Sequence, residues 1–361
     1  MNSTFLAFFI FILILFIYIH VNAQWKTSND IEIYESDYES ASQLQEICSV
    51  KQPVVFKCQK NPDAVDFFVK IQSDKFEKYD NIDIRIKDRT DYYKTPLIKD
   101  SASQDIAVDY VPLSFRSARR LMTTDTNAKY FSEKNAFFLE ESGINRLFHS
   151  LDSILKPPLA AYTKYDILMG SPLVTTPLRY HLESHKYIAV TRGKIRVKLC
   201  PPKNSKVIPT HHDYENYEFW SPLSATGSGS KDKEILQKIK FLDVDVHSGD
   251  ILFVPSYWWY SITFSGDPET TVAAFTYDVA MNVVAQSKHW ALYYLQQSNI
   301  KTRPAKTIIL SEDGDQDKVP IDEVAKEVTI EESQVPVKKE IVTNAGIYVT
   351  GQTDSGINSI N

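Results

Sequence analysis

Residues 249–267 read GDILFVPSYWWYSITFSGD, a run of β-branched and aromatic residues interrupted by Gly, Pro, Ser and Asp. The same sequence pattern extends over residues 166–278. Short apolar runs separated by turn residues are typical of an antiparallel barrel or sandwich. Segments with helical spacing lie on both sides of this region. The sequence therefore predicts a mainly β domain with flanking helices, an α+β fold, over residues 41–299, with its barrel core at 166–278 and a C-terminal helix at about 280–298.

Composition limits the classes of function. The chain has 361 residues, of which 43% are hydrophobic and 12% aromatic, so it can bury a sizeable core. The formal net charge is −6, and Lys and Arg do not gather into a stripe, which argues against a nucleic-acid-binding surface. Three cysteines without CxxC spacing indicate neither a disulfide framework nor a zinc site. No GxSxG, HExxH or phosphate-binding glycine loop is found.

The N-terminal residues 1–23 contain the apolar stretch FLAFFIFILILFIYIHV at 5–21, whose length is at the lower limit for a bilayer span. The small-residue pattern ending at Ala23 favours a cleaved signal peptide. The long apolar run and the absence of Lys or Arg before it favour an uncleaved signal-anchor. Residues 24–40 are polar and are predicted to be a spacer. An anchor predicts a single-pass membrane protein with its domain in the secretory lumen or outside, whereas cleavage predicts secretion.

The C-terminal residues have a different composition. Residues 311–340 hold ten Asp or Glu and four Lys, and Tyr348 is the only aromatic residue after position 302. Such a segment has too little apolar surface to stabilise a fold. We predict a disordered acidic tail over 300–361.

Two stretches carry a resemblance to a known family. The first is RYHLESHKYIAVTRGKIRVKLCPP at residues 179–202, and the second is GDILFVPSYWWYSITF at 249–264. Together they resemble the paired motifs of cupins, and more narrowly the JmjC-type branch of the iron(II) and 2-oxoglutarate dependent hydroxylases. The glycines at positions 193 and 249 and the proline at 255 stand at the spacing of those motifs. The resemblance implies a double-stranded β-helix, or jelly-roll, barrel.

The same resemblance assigns the metal-ligand positions to Arg179, His181 and Tyr260. In the family two histidines and a carboxylate bind one face of Fe(II) and leave the other face for 2-oxoglutarate and oxygen. Arginine has no lone pair to donate, and a phenol is protonated at neutral pH. Ile195 stands where relatives often carry a lysine for 2-oxoglutarate, while Lys194 and Arg196 are predicted to face the other way. We therefore expect no metal, no cofactor and no catalytic residue here; the alternative is Fe(II) and 2-oxoglutarate at a rearranged site.

The polar residues at these positions suggest a different pocket. Arg179, Lys186 and Tyr260 would form a cationic, hydrogen-bonding site, and Thr176 stands where relatives carry a cosubstrate-binding hydroxyl. We expect carboxylates such as Glu183, or a small anion, to neutralise the cations. Two interpretations stay open: an internal ion pair in place of the metal, or a ligand-binding site for an anion.

A displaced metal site is the remaining alternative for the histidines. Adjacent histidines on a strand point in opposite directions, and no carboxylate lies at ligand spacing from His181, so we expect no such site. The residues concerned are His185, His211, His212, Asp213 and His247.

These observations favour a membrane-tethered, non-catalytic domain that acts as a scaffold or interaction module. The alternatives are a hydroxylase-like enzyme of the same fold, which would be a 2-oxoglutarate-dependent oxygenase, and an anion-binding module. The predicted partners are the membrane, through residues 5–21, and a protein partner or second copy, through the aromatic helix at 282–297. Packing of that helix on the barrel is the other interpretation of its aromatic residues.

Overall fold

A computed structural model describes residues 3–94, 108–227 and 230–299. The predicted acidic tail at 300–361 lies outside the described residues. The strands are β1 (Tyr34–Asp37), β2 (Val54–Lys57), β3 (Asp83–Asp88), β4 (Val111–Ser114), β5 (Tyr130–Ser132), β6 (Ala160–Gly170), β7 (Arg179–Tyr180), β8 (His185–Arg192), β9 (Lys194–Cys200), β10 (His211–Asp213), β11 (Glu218–Trp220), β12 (Leu242–His247), β13 (Asp250–Pro255), β14 (Trp259–Phe264) and β15 (Thr271–Val279).

The helices lie mostly before and after the barrel strands. They are α1 (Ser3–Trp25), α2 (Ala41–Ser49), α3 (Pro62–Lys70), α4 (Thr90–Tyr93), α5 (Phe115–Thr124), α6 (Ala136–Glu141), α7 (Asn145–Phe148), α8 (Asp152–Leu155), α9 (Ser230–Leu236), α10 (Ala280–Ala285) and α11 (Ser287–Gln297), with 3₁₀ turns at Ser73–Tyr79, His149–Leu151 and Pro202–Lys206. The predicted mainly β fold with flanking helices is confirmed.

Two sheets contain the described strands. The larger has the order β1-β2-β13-β8-β15-β6-β5-β3-β4, and the smaller has the order β10-β11-β7-β14-β9-β12. Described pairings are antiparallel except that of β1 with β2. The chain passes from one sheet to the other between β8 and β9 and between β13 and β14, and strands β6 to β9 and β12 to β15 alternate between the two sheets.

Side-chain alternation builds the core between the sheets. On β9, Ile195 and Val197 are buried whereas Lys194 and Arg196 are exposed, because successive residues of a strand point to opposite faces. The predicted orientation of these residues is confirmed. On the facing sheet, residues such as Ile188 of β8 complete the same apolar cluster. Burial of a full aliphatic side chain contributes about 1.5–3 kcal/mol, so this layer fixes the strand register strongly.

Gly193 makes the tight turn that sends β9 into the second sheet. Its φ of +76° lies in the left-handed region, and a Cβ there would stand 2.5 Å from the hydroxyl oxygen of Thr270. A side chain at this position would therefore meet both backbone strain and a clash. This requirement explains the glycine that the first motif carries between two strands.

Helix α1 contains the predicted leader. Its segment Phe5–Trp25 has a mean hydropathy of 2.5 and is unburied, so by length and composition it qualifies either to cross a membrane or to serve as a signal sequence. The helix continues through Ala23, whose carbonyl oxygen accepts a hydrogen bond of 2.7 Å from the Lys51 ammonium. The following polar segment, predicted as a spacer, contains β1, which pairs with β2 at the edge of the larger sheet.

The predicted C-terminal helix is divided into α10 and α11. Gln286 lies between them; its side chain is buried and its amide donates a hydrogen bond to the Tyr257 hydroxyl. Trp290 of α11 stacks on Tyr217, with ring centroids 5.0 Å apart. The aromatic face of α11 therefore packs on the barrel in part, while Tyr294 and Leu295 remain exposed.

Candidate functional site

Strand register places charged residues opposite one another across the interior of the barrel. Lys186 of β8 is directly opposite Thr276 of β15, which is in turn opposite Lys164 of β6. In the facing sheet, Arg179 of β7 is directly opposite Tyr260 of β14. Directly opposed residues on neighbouring antiparallel strands project from the same face of a sheet. The two sheets thus bring Arg179, Lys186 and Tyr260 together, as the sequence predicted.

These side chains surround a cavity of about 90 Å³. Such a volume holds several water molecules or one small ligand. Its lining residues come from both sheets and from the segment after β5, and they are Glu133, Lys134, Lys164, Asp166, Arg179, Tyr180, His181, Glu183, Lys186, Tyr217, Glu218, Phe219, Tyr260, Ala274 and Thr276.

Arg179 forms a buried ion pair with Glu133. Its Nη1 lies 2.6 Å from both carboxylate oxygens, and the two side chains are 11% and 5% exposed. Burial alone would lower the pKa of Arg179, but the Glu133 carboxylate, together with Tyr260 and Tyr92, raises it above its ordinary value. Glu133 is therefore the carboxylate that neutralises this arginine. Glu183, the carboxylate that the sequence suggested as an example, lines the cavity without an ion pair within 4.0 Å among the described residues.

His181 is buried in the cavity wall and is only 6% exposed. Neither ring nitrogen has a hydrogen bond of regular geometry, although a weak interaction with the backbone of Val254 favours the protonated ring. Burial, followed by the charge of Lys186, holds the pKa of His181 well below its ordinary value. The imidazole is consequently neutral at physiological pH, with one nitrogen able to donate and the other to accept.

Lys186 and Tyr260 lie beside this histidine. The Lys186 ammonium stands 5.7 Å from the centre of the Tyr260 ring, and the Arg179 guanidinium stands 5.4 Å from it. The rings of His181 and Tyr260 meet edge to face at 5.9 Å. Burial disfavours the charged form of Lys186, but Tyr260 and nearby carboxylates raise its pKa overall, so the ammonium remains charged. This part of the cavity wall therefore presents two cations, a phenol and a neutral imidazole.

Comparison with protein families gives a match to the cupin-like domain family over residues 39–284, more than half of the chain. This chain belongs to the cupin-like domain family. The resemblance in the two motifs and the predicted cupin fold are thereby confirmed. No curated protein matches the sequence significantly.

A second buried network closes the cupin-like barrel beside the cavity. Glu218 of β11 accepts hydrogen bonds from Lys87 at 2.8 Å, from Tyr92 at 3.1 Å and from Tyr110 at 2.5 Å, and Lys134 lies 2.6 Å away. Burial alone would raise the pKa of Glu218, but the two ammonium groups hold it well below its ordinary value. Glu218 thus stays ionised and ties the segments before and after residues 95–107 to the cupin-like barrel.

Thr176 is not brought to the cavity. Its side chain is buried, and its hydroxyl oxygen accepts a hydrogen bond of 2.9 Å from the backbone N–H of Ile262. The backbone N–H of Thr176 donates in turn to the Ile262 carbonyl at 2.8 Å. The hydroxyl therefore joins the segment before β7 to β14. Thr176 is not among the residues that line the cavity.

The metal-ligand positions of the cupin-like domain do not fit an iron ion. Of Arg179, His181 and Tyr260, only the histidine is an ordinary Fe(II) ligand, and the guanidinium would repel a dication. Within the described parts of the chain, no three His, Cys, Asp or Glu side chains form a group that could hold a metal. Ile195 belongs to the apolar core and offers no charge to a cosubstrate.

The other histidines do not assemble a replacement site among the described residues. His211 packs against Trp220 at 5.0 Å, and the next residue, His212, contacts Phe219 on the opposite side of the strand. Burial lowers the pKa of His185 to about 4, so that imidazole is neutral. Only a weak sequence signal points to Glu133. Glu133 and Lys134 directly follow a short apolar strand, and both residues line the cavity.

Proposed function

We propose that this chain is a membrane-tethered protein whose cupin-like domain is non-catalytic and acts as a scaffold or interaction module. The observation that carries the proposal is the buried ion pair between Arg179 and Glu133. It occupies the place where the resemblance to iron(II) and 2-oxoglutarate dependent hydroxylases puts a metal ligand. A metal ion there would lie against a permanent cation and compete with it for the same carboxylate.

The apolar helix α1 supports the membrane part of the proposal. Its surface is uniformly apolar from residue 5 to residue 17, and such a surface is stable in lipid because the helix satisfies its own backbone hydrogen bonds. Lys51 holds the end of the helix to the domain through the carbonyl oxygens of Ala23 and Gln24. We place the domain in the secretory lumen or outside the cell, on a single membrane anchor.

Helix α11 is the surface that we assign to a protein partner. Trp290 and Tyr293 pack against Tyr217 of the barrel, whereas Tyr294 and Leu295 are 58% and 62% exposed. Exposed aromatic and aliphatic residues side by side are favoured at protein interfaces. A second copy of the chain is the simplest partner for this face, and no nucleic acid is expected given the net charge of −6.

Iron binding and turnover test the non-catalytic assignment. The purified full chain is incubated anaerobically with Fe(II), and its metal content is measured before 2-oxoglutarate and oxygen are added. We expect substoichiometric iron that is unchanged in a His181→Ala variant, and no succinate above the protein-free rate. Stoichiometric iron that disappears in the variant, together with succinate release, would overturn the proposal.

Extraction and protease protection test the membrane assignment. The full chain, expressed with a C-terminal tag, is recovered from membranes and washed at alkaline pH. We expect it to stay in the membrane pellet with an intact N-terminus, and its domain to be protected from protease until the vesicles are opened. Release by the wash, or an N-terminus beginning at Gln24, would contradict the tether while leaving the assignment of the cavity untouched.

A further inference from the structure

We infer that the cavity bounded by Arg179, His181, Lys186 and Tyr260 is a binding site for a small monocarboxylate, held directly by side chains and without a metal. This inference rests on the non-catalytic assignment of the domain and identifies a ligand class for it. It follows from the hydrogen-bonding groups left without partners, from the charges around the cavity and from its size.

Several buried hydrogen-bonding groups in the cavity have no partner. Both ring nitrogens of His181, one a donor and one an acceptor, and the Nε of Arg179 are buried without a hydrogen-bond partner. Lys186 makes no ion pair within 4.0 Å among the described residues, and its ammonium lies 5.7 Å from the centre of the Tyr260 ring. A buried donor without a partner costs about 1–3 kcal/mol. A ligand with acceptor oxygens at this point would satisfy several of these groups at once.

Two ion-pair systems lie around the cavity. Glu133 neutralises Arg179, with 2.6 Å between the charged atoms. Glu218 is shared by Lys87 and Lys134, which lie 2.8 Å and 2.6 Å away. Lys87 does not line the cavity. The lining itself holds equal numbers of cations and carboxylates, namely Lys134, Lys164, Arg179, Lys186, Glu133, Asp166, Glu183 and Glu218.

The cations that remain in the wall are not paired directly. Lys164 and Lys186 form no ion pair in the described part of the chain, although Glu183 and Asp166 line the same cavity. Asp166 accepts three backbone hydrogen bonds of 2.7–2.8 Å, and burial raises its pKa. Lys186 lies beside the unpartnered groups of His181 and Arg179, so an added negative charge is best placed next to its ammonium.

Charge and size together select the ligand class. A volume of about 90 Å³ limits the ligand to a few heavy atoms. A monoanion matches the single ammonium of Lys186, whereas a dianion such as phosphate or 2-oxoglutarate would place its second charge near Glu133 and Glu218. The carboxylate would lie between Lys186 and His181. Its short apolar end would lie against Ala274 and Phe219, which line the same cavity.

Calorimetric titration of the full chain in detergent with sodium propionate tests the inference. The protein is first treated with a chelator, and sodium chloride at equal ionic strength gives the reference. We expect saturable binding of one propionate per chain and a rise in the thermal midpoint with propionate concentration. Failure of propionate to bind more tightly than chloride, or binding that requires added Fe(II), would overturn it.

Two matched variants locate the site. Lys186→Met keeps the length of the side chain and removes the cation, and we expect it to weaken propionate binding at least tenfold. Because the ammonium makes no ion pair within 4.0 Å among the described residues, this variant should fold with a thermal midpoint close to that of the parent. Lys198→Met removes a cation on β9 that pairs with Asp243 away from the cavity, and it should bind propionate as the parent does. Equal losses in both variants would place the anion elsewhere and refute the site.

Competition by other anions tests the ligand class. Inorganic phosphate and 2-oxoglutarate should displace propionate at least tenfold less well than acetate does. Preference for either dianion would refute the monocarboxylate assignment. The iron and succinate measurements test the non-catalytic assignment separately, because the propionate titration is carried out without metal.

Discussion

Removal of the charge of Glu133 is expected to destabilise the domain strongly. In the Glu133→Gln variant the Arg179 guanidinium, 11% exposed, would lose the carboxylate that lies 2.6 Å away. Breaking a buried ion pair by removal of one partner costs about 3–5 kcal/mol, because the other charge is left buried. Glutamine retains one acceptor oxygen, so we expect the lower end, about 3 kcal/mol. For a domain of this size that corresponds to a fall of roughly 6–12 °C in the thermal midpoint.

Asp245→Asn provides the matched control. Arg196 and Asp245 also form a well-aligned pair, at 2.8 Å, but these side chains are 63% and 43% exposed. Solvent-exposed pairs are screened by water and contribute little, so the control should lower the free energy of unfolding far less than Glu133→Gln does. The assay is thermal and urea unfolding of the full chain in detergent, followed by circular dichroism.

A double variant separates the charge from the packing. In Glu133→Gln combined with Arg179→Met, no unpaired charge remains, and we expect most of the lost stability to return. Equal effects of Glu133→Gln and Asp245→Asn would refute the reasoning, since they would show that the pair at Arg179 is as solvated as the surface pair. A double variant less stable than Glu133→Gln alone would show that the guanidinium has another stabilising contact.

Three further predictions concern other parts of the chain. Glu218 has a depressed pKa in the folded state, so the stabilisation that it contributes is complete above the ordinary value of 4.5 and is lost as the pH falls through the folded pKa. Below pH 4.5, the free energy of unfolding should therefore fall more steeply with pH in the parent than in Glu218→Gln. Gly193→Ala should cost about 1–3 kcal/mol in urea unfolding because φ is +76°, whereas Gly266→Ala, where a Cβ meets open space, should cost less than about 1 kcal/mol. Ile14→Lys should reduce membrane insertion, since a lysine at the centre of a span costs about 3 kcal/mol; full recovery in alkaline-washed membranes would contradict a spanning role for α1.

Local sequence patterns were sufficient for much of the fold. Alternation in β9 predicted that Ile195 faces the core and that Lys194 and Arg196 face away, because strand periodicity is a property of neighbouring residues. The spacing of Gly193 and Gly249 located the turns before β9 and β13, where φ is positive in both cases. These features depend on the chain within a few residues of each position, so the sequence records them directly.

The partners inside the cavity could not be predicted in the same way. Arg179 and Glu133 are 46 residues apart, and Lys87 and Glu218 are 131 residues apart. The sequence suggested carboxylates such as Glu183 for the pocket, but which carboxylate pairs with the arginine depends on how the segment after β5 meets β7. The environment of the Thr176 hydroxyl could not be predicted for a related reason. Its position matched the family, but its hydrogen bond with Ile262 of β14 is a tertiary contact.

The ion pair of Arg179 and Glu133 also constrains which sequences are accessible to this barrel by single mutations. Replacing the arginine with a metal-binding histidine would leave the Glu133 carboxylate buried without its cation, and replacing the glutamate first would leave the guanidinium unpaired. Either intermediate is expected to be several kcal/mol less stable than the present pair, a large fraction of the stability of an ordinary domain. Reconstruction of an iron site would therefore require coordinated changes at both positions as well as at Tyr260. A path of single mutations from this protein to a metal-dependent relative would therefore pass through variants of low stability.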